Sequence, residues 1–215
     1  MYKLYWNPGS ANMAPHAALE EIGAAYELAG LDFDRNQHKG AEYLRLNPNG
    51  RVPTLIHDGK AIYESAAILL YLCERHPDAK LMPLPGSPER GHFLQWLVFC
   101  TNTVQEELMH WWHADNYMDS ETGRAELKQI AERRLGGMWT QICKTLGEPG
   151  PYLLGQTFSA ADIFLVMLCR WTRKMAKPAT DWPELKRLVD LVSARPAWQR
   201  MMKSEGITWT GDNAA

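Results

Sequence analysis

The sequence lacks the features that would direct a protein to a membrane or to nucleic acid. No apolar run reaches the roughly 20 residues of a membrane-spanning helix, and the first residues lack the charged and apolar regions of a signal peptide. The formal net charge is -2, and no Lys/Arg cluster is longer than Arg133-Arg134, whereas phosphate binding needs a basic face. We therefore expect a cytoplasmic protein that binds neither membrane nor nucleic acid.

Cysteine is also sparse, and its spacing argues against metal and redox chemistry. The chain has four cysteines and no C-x-x-C pair; they are Cys73, Cys100, Cys143 and Cys169. Each lies in an apolar or helical stretch, which is typical of buried, reduced thiols. The sequence therefore predicts no bound metal and no cysteine-based redox centre.

What remains is the composition of an ordinary globular protein, with 46% hydrophobic and 22% charged residues among 215. Residues 1–79 predict the order strand, helix, strand, helix, strand, strand, helix. The first helix includes Pro15 in its first turn and is expected to end at Gly23. Asp58-Gly59 predicts the type I′ turn of a hairpin. This order is typical of a thioredoxin-like α/β domain.

The second part of the chain predicts helices alone. Residues 76–90 form a linker, because they lack a helical period and contain Pro77, Pro83, Pro85 and Pro88. Residues 90–215 are expected to form an all-α domain of five or six helices. The segments with a period of about 3.6 residues are 90–112, 123–146, 159–171, 182–194 and 196–205. Ser159 and Asp162 predict a capping box at the start of one of them.

Three segments, taken together and in order, resemble the glutathione S-transferase family. They are residues 5–16, 47–55 and 62–72, and the capping box falls where the family carries one. The resemblance covers the whole first domain and one landmark of the second. It implies a cytosolic, bacterial-type transferase with a thioredoxin-like glutathione-binding domain and a helical domain that completes the site.

The resemblance also implies where the glutathione backbone binds. In the family, the Val-Pro peptide before the third strand is cis, so Val52-Pro53 should be cis and Val52 should pair with the cysteinyl main chain. A proline that begins an edge strand is the structural alternative. Glu64 and Ser65 would take the γ-glutamyl group at a positive helix end, although Ser65 also suits a plain N-cap.

The resemblance is less direct for the residues that would bind the glycine end of glutathione. His38 and Lys39 resemble the pair that some classes of the family use to clamp the glycine carboxylate, and solvated charges in a loop are the alternative. Arg51 stands where many relatives have an uncharged amide. It would reach either the glycine end or the partner subunit.

The catalytic step needs a thiolate from a thiol whose pKa is ordinarily about 8.5. Ser10 and Asn12 would donate hydrogen bonds to it just ahead of the first helix, and Tyr5 at the end of the first strand is the rival donor. The chain departs here from the cysteine-type bacterial pattern. It has Ala11 and Asn12 where that pattern has cysteine and serine, so neither role carries over.

The second substrate would sit between this turn and the first long helix of the second domain. Met13 would form one wall of its pocket. The opposite face would present Gln105, Met109, Trp112 and His113. A row of methionine and aromatic residues on one helix face would also suit a buried core. The nine tryptophans in the chain nevertheless favour an aromatic pocket for a flat electrophile.

The functional hypothesis is therefore a detoxifying glutathione transferase that uses glutathione as co-substrate against small hydrophobic electrophiles. A glutathione-dependent ether-cleaving or peroxide-reducing enzyme stays open. A non-catalytic binding module of the same fold is the alternative from another class. The resemblance also implies a homodimer.

Overall fold

The computed structural model describes residues 1–211 and places the strands and helices in two units. The first unit comprises Met1–Met82 together with the described residues from Ser193 onward, and the second comprises Pro83–Val192. The sequence interpretation instead assigned everything after residue 90 to one helical domain. The difference arises from the last helix, which packs in the first unit. No helix among residues 1–211 is long and apolar enough to cross a membrane.

The first unit is built on one sheet with strand order β2-β1-β3-β4, in which β1 and β2 are parallel and the other pairs are antiparallel. Its elements are β1 (Tyr2–Trp6), α1 (Met13–Ile22), β2 (Tyr26–Gly30), α2 (Ala41–Leu44), β3 (Thr54–His57), β4 (Lys60–Tyr63) and α3 (Ser65–Arg75). This is the order predicted from the sequence, and the thioredoxin-like α/β class is confirmed.

Local sequence explains how these elements begin and end. Gly23 ends α1 in the left-handed region with φ 70°, as predicted. Asp58 and Gly59 both have positive φ, 49° and 74°, which a type I′ turn requires. Leu4 and Leu55 pair across β1 and β3 and are fully buried, so the centre of the sheet lies in the core.

The second unit is built from helices and has no β-strand among its described residues, although residues 152–157 form two isolated β-bridges. Its helices are α4 (Pro88–Phe99), α5 (Glu106–Trp112), α6 (Glu121–Gly147), α7 (Ala160–Trp171) and α8 (Pro183–Ser193). The single helix predicted over 90–112 is interrupted by a π-helical segment, Cys100–Gln105. Such a segment shifts the angular positions of the residues that follow it.

Helix α7 is the centre of the second unit, because all twelve of its residues are buried. The predicted capping box is confirmed: the carboxylate of Asp162 accepts from the Ser159 backbone amide at 2.8 Å and from its hydroxyl at 3.0 Å. Its other oxygen accepts from the Leu153 amide at 2.8 Å. Burial nevertheless raises the pKa of Asp162 to about 6.

A ninth helix, α9 (Pro196–Glu205), belongs to the first unit and lies along α1. Two ion pairs join them: Arg195 binds Glu21 through both carboxylate oxygens, at 2.5 and 2.8 Å, and Arg200 binds Glu20 at 2.5 Å. This packing brings the end of α9 to the turn that precedes α1.

Candidate functional site

The turn between β1 and α1 is held from within by asparagine side chains. The backbone amide of Asn7 donates to Oδ1 of Asn12 at 3.1 Å, and the side-chain amide of Asn7 donates to the carbonyl of Leu31 at 3.0 Å. Gly9 has φ 68°, a conformation that favours glycine. The turn is therefore a preformed loop at the N-terminus of α1.

Asn12 is committed to this loop rather than to a ligand. Its residue exposure is 0%, and its side-chain amide donates to Glu205 of α9 at 2.8 Å. The predicted role as a thiolate donor needs this group at the surface of the turn, where the structure does not place it. Asn12 therefore acts in the structure as a brace of the turn.

Ser10 is placed differently, because it is only partly buried. Its hydroxyl lies 3.5 Å from Oδ1 of Asn7, which is longer than the roughly 2.5–3.0 Å of an ordinary O–H···O hydrogen bond. A hydroxyl so weakly held is able to rotate toward a ligand. Of the two predicted donors in the turn, Ser10 is the one available to a sulfur anion.

Tyr5, the rival donor, lies in β1 opposite Thr54. Its ring centroid is 5.3 Å from that of Tyr43, whose hydroxyl is 2.7 Å from the Thr54 hydroxyl and donates to the carbonyl of Arg51 at 2.6 Å. Burial raises the pKa of Tyr43. Tyr5 is half-buried, and its ring packs against that of Tyr43.

The Val52-Pro53 peptide is cis, which confirms the prediction. Ser65, the first residue of α3, is buried and donates from its hydroxyl to the carbonyl of Ala11 at 2.9 Å. Glu64 precedes it with φ 70° and an exposed side chain. The structure therefore joins the start of α3 directly to the turn before α1.

His38 and Lys39 lie in a short 3-10 helix, Gln37–Lys39. The His38 ring stacks on Phe33 with centroids 4.0 Å apart, and burial, with Lys39 nearby, lowers the pKa of His38. Lys39 donates to the carbonyl of Asn49 at 3.4 Å, so it adjoins the loop that leads into Val52. Arg51 in that loop is exposed.

The predicted electrophile residues of the second unit lie close together along one helical stretch. Gln105 ends the π-helical segment, Met109 and Trp112 are in α5, and all three are half-buried; His113 is exposed where the helix ends. Met13, the wall predicted from the first domain, is the first residue of α1 and is fully buried, so it contributes to the core instead.

The orientation of Trp112 is set by its neighbours in the second unit. Its indole Nε1–H donates to the carbonyl of Trp171 at 3.0 Å. The guanidinium of Arg173 and the ammonium of Lys174 lie 5.2 and 5.5 Å from its ring centroid, within the range of cation–π attraction. Trp112 therefore presents a fixed aromatic surface flanked by positive charge.

The protein's own thiols are poorly suited to be nucleophiles. Cys73, Cys100 and Cys169 are buried as predicted, whereas Cys143 is only half-buried. Burial raises the pKa of the Cys100 and Cys169 thiols, and burial together with Glu184 raises the pKa of Cys143 to about 11. Within residues 1–211, no group of three or more His, Cys, Asp or Glu side chains is arranged to hold a metal ion.

Sequence reasoning missed two residues of the site, His16 and Glu205. The Glu205 carboxylate contacts the turn and His16 across 189 to 196 residues of sequence. A helical glutamate so far from its partners carries no local signal of this contact. His16 lies in the predicted first helix, but its full burial, which makes hydrogen-bond partners necessary, is seen only in the structure.

Two known domain families match the chain in order. The first, described as the N-terminal domain of glutathione S-transferase, matches residues 1–74. The second, described as the C-terminal domain of glutathione S-transferase, matches residues 106–205. The first match includes the turn, the cis peptide and the start of α3; the second includes α7 and Glu205.

Whole proteins agree with these domain matches. The chain is 26% identical to glutathione S-transferase GstA of Escherichia coli O157:H7 over 95% of this chain and 99% of that protein. It is 33% identical to a glutathione transferase of Methylococcus capsulatus, with a TM-score of 0.86 over 96% and 99% of the two chains. A sphingomonad glutathione S-transferase solved in complex with glutathione is 29% identical, with a TM-score of 0.84 over 96% and 100%.

Proposed function

Because the chain belongs to the glutathione S-transferase family, a family of transferases, we propose that it activates the thiol of glutathione for attack on small hydrophobic electrophiles. The observation that carries this proposal is the hydrogen bond from Ser65 to the carbonyl of Ala11. It holds a helix N-terminus suited to a carboxylate beside a turn that offers a hydroxyl to a sulfur anion. A tripeptide with a carboxylate and a thiol suits such an arrangement.

In this proposal the first unit binds the whole tripeptide. The backbone of Val52, next to Pro53, pairs with the cysteinyl residue in the manner of an added strand. Glu64 takes the γ-glutamyl ammonium, and Ser65 with the free amides of α3 takes the carboxylate. The glycine carboxylate is bound by residues around the loop before Val52: Lys39 and Arg51 supply positive charge, and His38 supplies an imidazole N–H.

The thiolate is stabilised by Ser10 at the N-terminus of α1. A hydrogen bond to the charged form and a positive helix end both lower a thiol pKa. Tyr5 is the alternative donor, and Asn12 acts by holding the turn. The thiol proton leaves to solvent, the sulfur forms a bond to the electrophilic carbon, and the bond from that carbon to its leaving group breaks.

The electrophile is assigned to the helical unit. Met109 and Trp112 offer polarizable and aromatic surface to a flat substrate, and Gln105 and His113 offer polar contacts beside them. Glutathione-dependent ether cleavage or peroxide reduction would use the same thiolate. A non-catalytic binding module is the alternative from another class, and it would bind glutathione without lowering the thiol pKa.

We also propose that the protein is a cytoplasmic homodimer with a detoxifying role. Strand β4 is one of the two outer strands of the described sheet, and Tyr63 at its end is exposed. An edge strand with an exposed aromatic side chain suits contact with a second copy. Sedimentation as a monomer at micromolar concentration would contradict the dimer.

The function is tested by incubating the purified protein with glutathione and a panel containing a chlorodinitrobenzene, a β-aryl ether and an organic hydroperoxide. We expect thioether formation well above the rate without protein, with release of chloride. Turnover of the ether or hydroperoxide alone would assign the alternative reaction. Retention on immobilised glutathione without turnover of any substrate would identify a binding module and exclude the proposed transferase.

A further inference from the structure

One buried carboxylate spans the turn proposed to bind the thiol. The side chain of Glu205 is 0% exposed. Its Oε2 accepts from the backbone amide of Gly9 at 3.0 Å, and its Oε1 accepts from the side-chain amide of Asn12 at 2.8 Å. The two ends of the Gly9–Asn12 segment are therefore held by a single group on another helix.

A carboxylate at this place creates an electrostatic problem. It lies at the N-terminus of α1, where the positive end of the helix favours one anion. An uncompensated negative charge there would oppose the formation of a second anion nearby. A residue that only positioned the turn in this way would also make the thiolate harder to form.

His16 supplies the compensating charge. Its Nδ1 lies 2.8 Å from Oε1 of Glu205, and its Nε2 lies 3.0 Å from the hydroxyl of Tyr26. The hydroxyl of Tyr26 donates to Glu20, so it has only a lone pair to offer to the imidazole. Both ring nitrogens therefore face acceptors, which is the arrangement that suits an imidazolium.

The groups around His16 agree with this assignment. Burial alone would raise the pKa of Glu20, but hydrogen bonds from Tyr26 and Arg200 outweigh it and lower the pKa, so Glu20 is an ionised acceptor. Burial and the hydrogen bond to Glu20 raise the pKa of Tyr26, so the phenol keeps its proton. From the fully buried Glu205 and His16 outward to the exposed Arg200, the row thus consists of a carboxylate, an imidazole, a phenol, a carboxylate and a guanidinium.

We propose that Glu205 is the positioning residue of the catalytic turn, and that His16 neutralises it so that the turn is braced without a net negative charge. Neither residue needs to touch glutathione. The two act through Gly9, Asn12 and the N-terminus of α1. This inference rests on the proposed activation of glutathione.

The test separates the electrostatic effect of the Glu205–His16 pair from its role in positioning the turn, because the two charges are removed one after the other. His16→Gln keeps a donor near Glu205 but leaves the buried carboxylate without a cation. We expect the pKa of bound glutathione, followed by the ultraviolet absorbance of the thiolate, to rise by about one unit. We expect kcat at neutral pH to fall accordingly, while the KM for glutathione changes less than threefold.

Adding Glu205→Gln to His16→Gln removes the second charge. The pKa of the bound thiol should then return to within a few tenths of a unit of the wild-type value, although kcat stays low because the turn has lost its brace. Arg195→Gln is the matched control. It breaks another α9 to α1 ion pair that is outside the row, so it should reduce stability and leave the thiol pKa unchanged.

Tyr26→Phe is a second variant that tests the same proposal if His16→Gln does not fold. It removes the acceptor of Nε2–H, disfavours the imidazolium, and should raise the thiol pKa in the same direction by a smaller amount. A thiol pKa unchanged in both His16→Gln and Tyr26→Phe, or in the one that folds, would overturn the neutralising role. A wild-type complex whose thiol titrates like free glutathione would overturn the proposed function itself and this inference with it.

Discussion

The hydroxyl of Ser65 donates to the carbonyl of Ala11 at 2.9 Å, and this one bond connects the start of α3 to the turn before α1. The residues are 54 positions apart in sequence. Because the contact joins the proposed carboxylate site to the proposed thiolate site, its loss should be visible in both binding and stability.

Ser65→Ala should therefore raise the KM for glutathione by roughly tenfold, the equivalent of about 1.4 kcal/mol. The physical reason is the loss of a ligand hydroxyl together with a buried acceptor left unpaired at Ala11. Steady-state kinetics over a range of glutathione concentrations measures it. Thr140→Ala removes an exposed helical hydroxyl bond and should leave the KM unchanged; equal effects of the two variants would contradict the assignment.

Ser10→Ala should leave glutathione binding nearly intact and raise the pKa of the bound thiol. A hydrogen bond to a charged group stabilises it by roughly 1.5–3 kcal/mol, which corresponds to about one to two pKa units. Titration of the thiolate absorbance in the binary complex measures the shift. Tyr5→Phe is the comparison and should change the pKa little; the reverse order would assign the role to Tyr5.

Asn12→Ala should act on stability. The substitution leaves the backbone amide of Asn7 and the carboxylate of Glu205 each short of a buried partner, at a cost of about 1–3 kcal/mol. Urea denaturation of the protein without ligand would show the loss. Ser10→Ala, at an incompletely buried site in the same turn, should lower the free energy of unfolding much less, and equal losses would argue against the bracing role.

Asp162 should make stability depend on pH. Burial raises its pKa from 3.8 to about 6 in the folded protein, so the folded state holds the proton more tightly than the unfolded state. The resulting stability is fully present below the unfolded value and is lost as the pH rises through about 6. Over that window the loss is on the order of 3 kcal/mol.

Asp162→Asn removes this titration and also places an amide against the donors of Ser159 and Leu153. The variant should be less stable than wild type throughout, and the difference should be larger near pH 4 than at pH 7. Denaturant unfolding at the two pH values measures the difference. Asp190→Asn, at an exposed ion pair with Lys186, is the control, and a difference for Asp162→Asn that is independent of pH would contradict the raised pKa.

Some features of the fold could be predicted because neighbouring residues decide them. The hairpin follows from the positive φ angles that Asp58-Gly59 tolerates, and the capping box follows from the spacing of Ser159 and Asp162. The prediction of one regular helix over 90–112 missed a change of helix type within it. A uniform period of about 3.6 residues does not anticipate the π-helical segment Cys100–Gln105 that precedes Met109 and Trp112.

The candidate site divides in the same way. Ser10, Val52 and Ser65 stand in local patterns that resemble a known family, so their places in the turn, the cis peptide and the helix start were foreseeable. The sequence alone thus determined the thioredoxin-like order of elements and the segments that meet at the site. Asn12 and Glu205 hold the turn together only because α9 packs along α1 and brings the Glu205 carboxylate to Gly9 and Asn12. A hydrogen bond between residues almost 200 positions apart, such as that from Gly9 to Glu205, depends on which buried helix faces pack together. The spacing of residues along the chain does not determine that packing.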